Sequence, residues 1–128
     1  VMISDVIVPI SKLADAVEKA YEIGAKHGVK VSCMGHFGDG NIHAHWGLDE
    51  RSDEAMRTLH EANAEYVEYA ISVGGAASAE HGIGTEKKRF LKLQHPESYD
   101  LLLKLKRLLD PKDILAPGIL FNVEEVVG

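Results

Sequence analysis

The sequence predicts an α+β fold, a ferredoxin-like antiparallel sheet with helices on one face, plus C-terminal helices. Three observations carry that expectation. A β-branched run precedes Pro9, an Asp39-Gly40 dipeptide separates two alternating runs, and two longer stretches repeat their apolar residues at helical spacing. Strand, helix, two strands and helix, in that order, describe a split βαβ unit whose antiparallel sheet keeps one face free of helices.

Residues 3–8 form the first strand, ended by a proline that removes the next donor. Ser11 is the expected N-cap of a helix with the stripe Leu13, Val17, Ala20, Tyr21 and Gly24, closed by Lys26, His27 and Gly28. A hairpin over residues 30–48 follows. Asp-Gly favours a two-residue turn, so centring it on Asp39-Gly40 sets Phe37 opposite Ile42, His36 opposite His43 and Met34 opposite His45. Alternation then places His36, His43 and His45 on one face and Val31, Cys33, Phe37, Ile42, Ala44 and Trp46 on the other.

A second helix begins after Ser52, with Asp53 and Glu54 complementing its dipole and Met56, Leu59, Ala62, Tyr66, Val67, Ala70 and Val73 as its core stripe. Gly74-Gly75 ends it, and a last short strand is expected at about 76–80. Thr85 caps a short helix to about Leu93. Pro96 suits the first turn of another, carrying Leu101, Leu102, Leu105, Leu108 and Leu109 and terminated by Asp110-Pro111. Residues 113–121 read as an irregular apolar tail.

A chain of 128 residues with 45% hydrophobic and 27% charged content is read as one domain, 1–128, with an ordinary core. The net charge of −6 and the lack of a long basic block argue against nucleic acid as a partner. No apolar run approaches the ~18 residues needed to span a bilayer. With no signal-peptide pattern at the start, the expected location is cytoplasmic. The single cysteine, Cys33, leaves no internal disulfide and reads as a small buried hydrophobe.

Two histidines and a carboxylate form a catalytic metal set that leaves a coordination position open. Cross-strand neighbours have β-carbons ~5 Å apart, from which two imidazoles can converge on one ion. Glu80, in a stretch of small residues flanked by glycines, is the best carboxylate, and His81 is the candidate general base or acid. Adjacent strand residues point to opposite faces. Glu80 and His81 therefore serve one site only if the backbone turns between them.

The segments Gly35-His36-Phe37-Gly38-Asp39-Gly40-Asn41-Ile42-His43, Ser78-Ala79-Glu80-His81-Gly82-Ile83-Gly84 and Asp110-Pro111 to Pro117-Gly118 resemble, in order and spacing, the C-terminal cap domain of FAD-linked oxidases. That group holds glycolate oxidase FAD subunits, D-lactate dehydrogenases and D-2-hydroxyglutarate dehydrogenases. Asp5 to Ser11 also resembles the family's strand-to-helix entry into this half of the cap.

The resemblance implies that His36, His43 and Glu80 ligate a divalent metal, zinc first and manganese or iron as alternatives. It implies that His81 takes the proton from the hydroxyl of a small 2-hydroxy acid, which is oxidised to the 2-oxo acid with hydride transfer to FAD. His45 stands where the family often has a substrate-contacting Asn, and Asn41 of the same motif is a second substrate-binding candidate. The family tail reads Asn-Pro-Gly-Lys, whereas this chain has Ala116-Pro117-Gly118-Ile119 and lacks that side-chain amide.

The FAD-binding domain is expected outside these residues, so the chain reads as a fragment or separately encoded cap, inactive alone. The implied partners are that domain, the hydroxy acid, an electron-accepting protein or subunit at the membrane surface, and a second copy of the chain. A flavin-independent metal hydrolase using the same His-His-Glu set, and a non-catalytic binding domain, are the other two readings.

Overall fold

The computed structural model describes all residues 1–128. They divide into two compact units, Val1–His81 and Gly82–Gly128. The first unit holds strand β1 (Met2–Ile7), helix α1 (Leu13–His27), strands β2 (Lys30–Met34) and β3 (Asn41–Gly47), and helix α2 (Asp53–Ser72). The strands form one antiparallel sheet in the order β1-β3-β2. This is the expected α+β arrangement, with β3 paired on both sides.

Alternation decides which face is covered. Ser4, Val6, Ile42, Ala44 and Trp46 share one face and are fully buried. They meet the stripe Leu59, Ala62, Tyr66, Val67 and Ala70 of α2, and Ala16, Ala20 and Ile23 of α1 are buried with them. Trp46 packs edge-on against Tyr66, centroids 5.4 Å apart, and donates through Nε1 to Ser4 Oγ at 2.7 Å; Ser4 in turn donates to Asn63 Oδ1 at 2.6 Å. That relay ties β3, β1 and α2 together. Burial pushes the Tyr66 hydroxyl and the Cys33 thiol up from their ordinary pKa values, which keeps both neutral. At the C-terminal end of α1, Lys26 donates to Glu65 of α2 at 2.8 Å and His27 Nε2 meets the same carboxylate at 2.9 Å. Those partners, Lys26 foremost, hold the Glu65 carboxyl below its usual range.

Several local expectations are overturned. Ser11 does not cap α1; residues Ile10–Lys12 form a 3-10 turn, and Lys12 occupies the cap position without a side-chain bond. Tyr21 and Met56 are half exposed, because each lies at the edge of its helix's apolar stripe. The hairpin turn is longer than two residues. Phe37–Asp39 form a 3-10 turn closed by Gly40, and the register moves by two, so Met34 faces His43 and Ser32 faces His45. His36 thus lies in the loop and not opposite His43, and Phe37 is exposed.

The reason is tertiary. Gly40 docks on the end of β1, its carbonyl accepting from Val8 N at 3.0 Å, and a β-carbon there would lie 2.2 Å from the Val8 carbonyl oxygen. A shift of two residues preserves side-chain parity. The assignment of Ile42, Ala44, Trp46, His43 and His45 to faces therefore survives the error in register.

The expected strand at 76–80 shrinks to a single antiparallel bridge between Ile7 and Ala76. Gly75 permits it. A β-carbon at Gly75 would lie 2.0 Å from the Ile7 carbonyl oxygen and 2.7 Å from that of Ala70, both backbone atoms. Gly75→Ala is therefore expected to destabilise the chain by about 2 kcal/mol. Urea denaturation checks this, and a loss below ~0.5 kcal/mol, the level of a neutral surface change, would contradict the close approach.

The second unit contains α3 (Gly84–Gln94), α4 (Tyr99–Leu109) and α5 (Val123–Val127). Leu91, Tyr99, Phe121 and Val126 form its core, with Leu102 and Leu103 packed against them. Asp110 ends α4 and accepts from Ile114 N at 3.1 Å, Leu115 N at 2.9 Å and Lys106 Nζ at 2.5 Å. Lys106, first among these, holds the Asp110 carboxyl below the usual range.

Thr85 lies inside α3 and does not cap it. Leu101, Leu105, Leu108 and Leu109 are exposed, since the unit's core takes the neighbouring side of α4. Helix α5 was not expected; five residues are too few for periodicity to reveal, although Asn122 and Glu125 form its capping box. Ala116 has φ of 51°, a left-handed conformation that Asn or Gly adopts with less strain.

Candidate metal centre

The helix-free face of the sheet carries Ile3, Asp5, Asn41, His43 and His45, because these residues alternate with the buried set. Asp5 and His43 are direct cross-strand neighbours. Past the Ile7–Ala76 bridge the backbone turns over Asp5 instead of continuing as a strand. Asp5 Oδ2 accepts from Ser78 Oγ at 2.8 Å and from the backbone N–H groups of Ala79 (3.1 Å), Glu80 (3.1 Å) and His81 (2.9 Å). Three successive N–H groups aimed at one oxygen make a concave anion nest. They offset the desolvation of a carboxylate that is fully buried.

This turn brings Glu80 and His81 to the same place. Glu80 Oε1 lies 2.9 Å from His43 Nε2, 3.6 Å from His36 Nε2 and 3.7 Å from His81 Nε2. His81 stacks on His43 with ring centroids 5.0 Å apart and planes 14° apart, and His36 meets His43 edge-on at 6.1 Å. Asp5, His43, Glu80 and His81 each offer a ligand atom within 4.8 Å of the others. The side chain of His43 is only 13% exposed, against 46% for Glu80, 55% for His81 and 64% for His36. One anchored imidazole is thus ringed by three more accessible groups.

The remaining candidates flank the cluster. Asn41 and His45 sit two residues before and after His43 on β3, a backbone separation of ~7 Å each way. Asn41 is buried, its Oδ1 has no hydrogen-bond partner, and its N–H donates to the His36 carbonyl at 3.3 Å, tying the loop to the strand. His45 lies further out, in a shallow hollow with Lys30, Val31 and Ser32. Asp5 is the site residue that reading the sequence for ligands passed over. Its signal is visible in retrospect as a carboxylate in the middle of a β-branched strand.

The donor set fits a divalent metal. Ligands ~2.0–2.1 Å from a tetrahedral zinc stand ~3.3 Å apart, close to the 2.9 Å between Glu80 Oε1 and His43 Nε2. The expected ligand His36 stands outside the mutually close group of Asp5, His43, Glu80 and His81 and reaches the cluster through Glu80, 3.6 Å from its Nε2. Neutral imidazole and carboxylate also suit manganese and iron.

Residues 1–120 match the model of the family described as FAD linked oxidases, C-terminal domain. The chain is 36% identical over 121 residues to the glycolate oxidase subunit GlcD of Bacillus subtilis, covering 94% of this chain and 26% of that protein. It is 36% identical over 114 residues to a D-lactate dehydrogenase of Archaeoglobus fulgidus, covering 89% of this chain and 25% of that protein. It is also 40% identical over 118 residues to the mitochondrial D-2-hydroxyglutarate dehydrogenase of Bos taurus, covering 88% of this chain and 20% of the relative. The chain therefore spans at most about a quarter of the length of these relatives. With its matching segment running through both compact units, the chain belongs to the FAD-linked oxidase C-terminal domain family.

Proposed function

We propose that this chain is the substrate- and metal-binding part of a FAD-dependent 2-hydroxy acid dehydrogenase of the glycolate or D-lactate type. The observation that supports it most is the convergence of three imidazole Nε2 atoms on Glu80 Oε1, at 2.9, 3.6 and 3.7 Å. His36, His43 and Glu80 are the proposed holders of the ion, zinc before manganese or iron. A bound divalent ion supplies Lewis acidity toward the substrate hydroxyl and a template for its neighbouring carboxylate. A FAD held by a domain outside these residues would supply the hydride acceptor, which is the cofactor's own chemistry.

The chain's residues supply position and proton transfer. His81 takes the hydroxyl proton on Nε2, the nitrogen turned toward Glu80. Its N–H bond to Asp5 holds the backbone, and its stacking on His43 orients the ring. The hollow that His45 shares with Lys30, Val31 and Ser32 is the open surface nearest the cluster on which the rest of a small hydroxy acid could lie, whereas Asn41 is buried. Pre-set geometry of this kind lowers the entropic cost of bringing hydroxyl and base together.

The expected result is that the 128-residue chain binds about one equivalent of zinc by calorimetry, and that glycolate or D-lactate binds only to the metal-loaded protein. Glu80→Gln removes the anionic ligand. Its loss should exceed the ~10–100-fold cost of removing a partner that merely supports a ligand. Absence of zinc binding, or a Glu80→Gln affinity within twofold of the wild type, would overturn the reading.

A further inference from the structure

Asp5 touches both halves of the site with different oxygens. Oδ2 gathers Ser78 and the three successive backbone N–H groups of Ala79, Glu80 and His81. Oδ1 faces His43 Nδ1 at 3.7 Å, and that buried nitrogen has no hydrogen-bond partner. The opposite nitrogen of the same ring, Nε2, is the one turned to Glu80. We propose that Asp5 is the positioning residue of the site, building the turn that presents Glu80 and His81 through Oδ2 and selecting, through Oδ1, the His43 tautomer whose Nε2 is free to ligate.

The second half of this inference rests on the metal-binding reading above. A neutral imidazole that ligates through Nε2 carries its proton on Nδ1, and that N–H needs an acceptor when buried. The carboxylate oxygen facing it is Asp5 Oδ1, at 3.7 Å, outside hydrogen-bond distance, so the two must close together when Nε2 ligates. Ligating histidines are commonly held in this way by a carboxylate on the distal nitrogen.

The first half needs no metal. Glu80 and His81 follow one another in sequence and would diverge on a strand; they converge here because their own N–H groups bend around Oδ2. The side-chain positions of a base and a ligand are thus consequences of one buried carboxylate on a different element, 75 and 76 residues away.

Two substitutions separate the roles. In Asp5→Asn the amide oxygen takes the place of Oδ2, where four donors require an acceptor, and its NH2 group then faces His43 Nδ1–H as a second donor. The turn is expected to persist while zinc affinity falls ~10–100-fold. The downfield Nδ1–H resonance of His43 in the zinc-loaded, 15N-histidine-labelled chain should broaden or vanish. Asp5→Ala removes both oxygens. In the metal-free chain, hydrogen exchange at Ala79, Glu80 and His81 is expected to accelerate at least ~10-fold, while exchange in α1 and α2 stays unchanged. Ser78→Ala, which removes one donor from Oδ2 only, serves as the reference and should leave the His43 resonance in place.

Unchanged exchange in Asp5→Ala overturns the turn-building role. Zinc affinity within twofold in Asp5→Asn, with the His43 resonance retained, overturns the tautomer role. If the wild-type chain binds no zinc, the proposed function and the tautomer role fall together, and the exchange measurement still decides the turn by itself.

Discussion

His43→Ala is expected to weaken zinc binding well beyond the ~10–100-fold that loss of a supporting partner costs, and His36→Ala by less than His43→Ala, in a competition titration with a chromophoric chelator. Both would-be ligands are imidazoles, so the difference comes from placement. His43 stands on the central strand, paired on both sides, and its side chain is 13% exposed. His36 lies just before a 3-10 turn, and its side chain is 64% exposed. Ordering a mobile side chain costs rotamer entropy that a packed one has already lost on folding. Removing His43 also deprives His81 of its stacking partner. Equal losses for the two variants, or a larger one for His36→Ala, would refute the idea that the strand pre-organises the site. Neither substitution touches the helix-packed core, so both proteins should melt within a few degrees of the wild type.

Trp46→Ala is expected to have the largest effect on stability, a loss of about 3–5 kcal/mol in urea denaturation followed by circular dichroism. The indole is fully buried on the covered face, toward the end of the central strand, packs on Tyr66, and donates the hydrogen bond that continues through Ser4 to Asn63. Truncation opens a cavity and breaks the relay at its start. For a domain of ordinary marginal stability this is a large fraction of the total. A loss below ~2 kcal/mol would mean that the sheet and α2 close over the gap.

Much of this was legible residue by residue. The stripe Leu59, Ala62, Tyr66, Val67 and Ala70 repeats at helical spacing and is buried; the alternation Ile42, Ala44, Trp46 against His43 and His45 holds in the sheet. Periodicity records which side of an element is apolar, and that property is local. Errors arose where a local preference met a distant partner. Asp39-Gly40 favours a tight hairpin, but Gly40 is claimed by Val8 at the end of β1, so the loop lengthens and His36 leaves the strand. The leucines of α4 form a stripe in sequence, yet four of them remain exposed because the core of that unit forms beside them.

By itself the sequence determined the α+β class, the family through its His-Phe-Gly-Asp-Gly-Asn-Ile-His and Ala-Glu-His-Gly-Ile-Gly segments, and the parity that sets His43 and His45 on the helix-free face. Only the tertiary structure decided that Glu80 and His81 meet His36 and His43, and that Asp5 is the reason. A strand period of two forbids adjacent residues from sharing a face. The exception is made by a buried carboxylate brought from the opposite end of the unit, and no local pattern in residues 78–81 encodes its position.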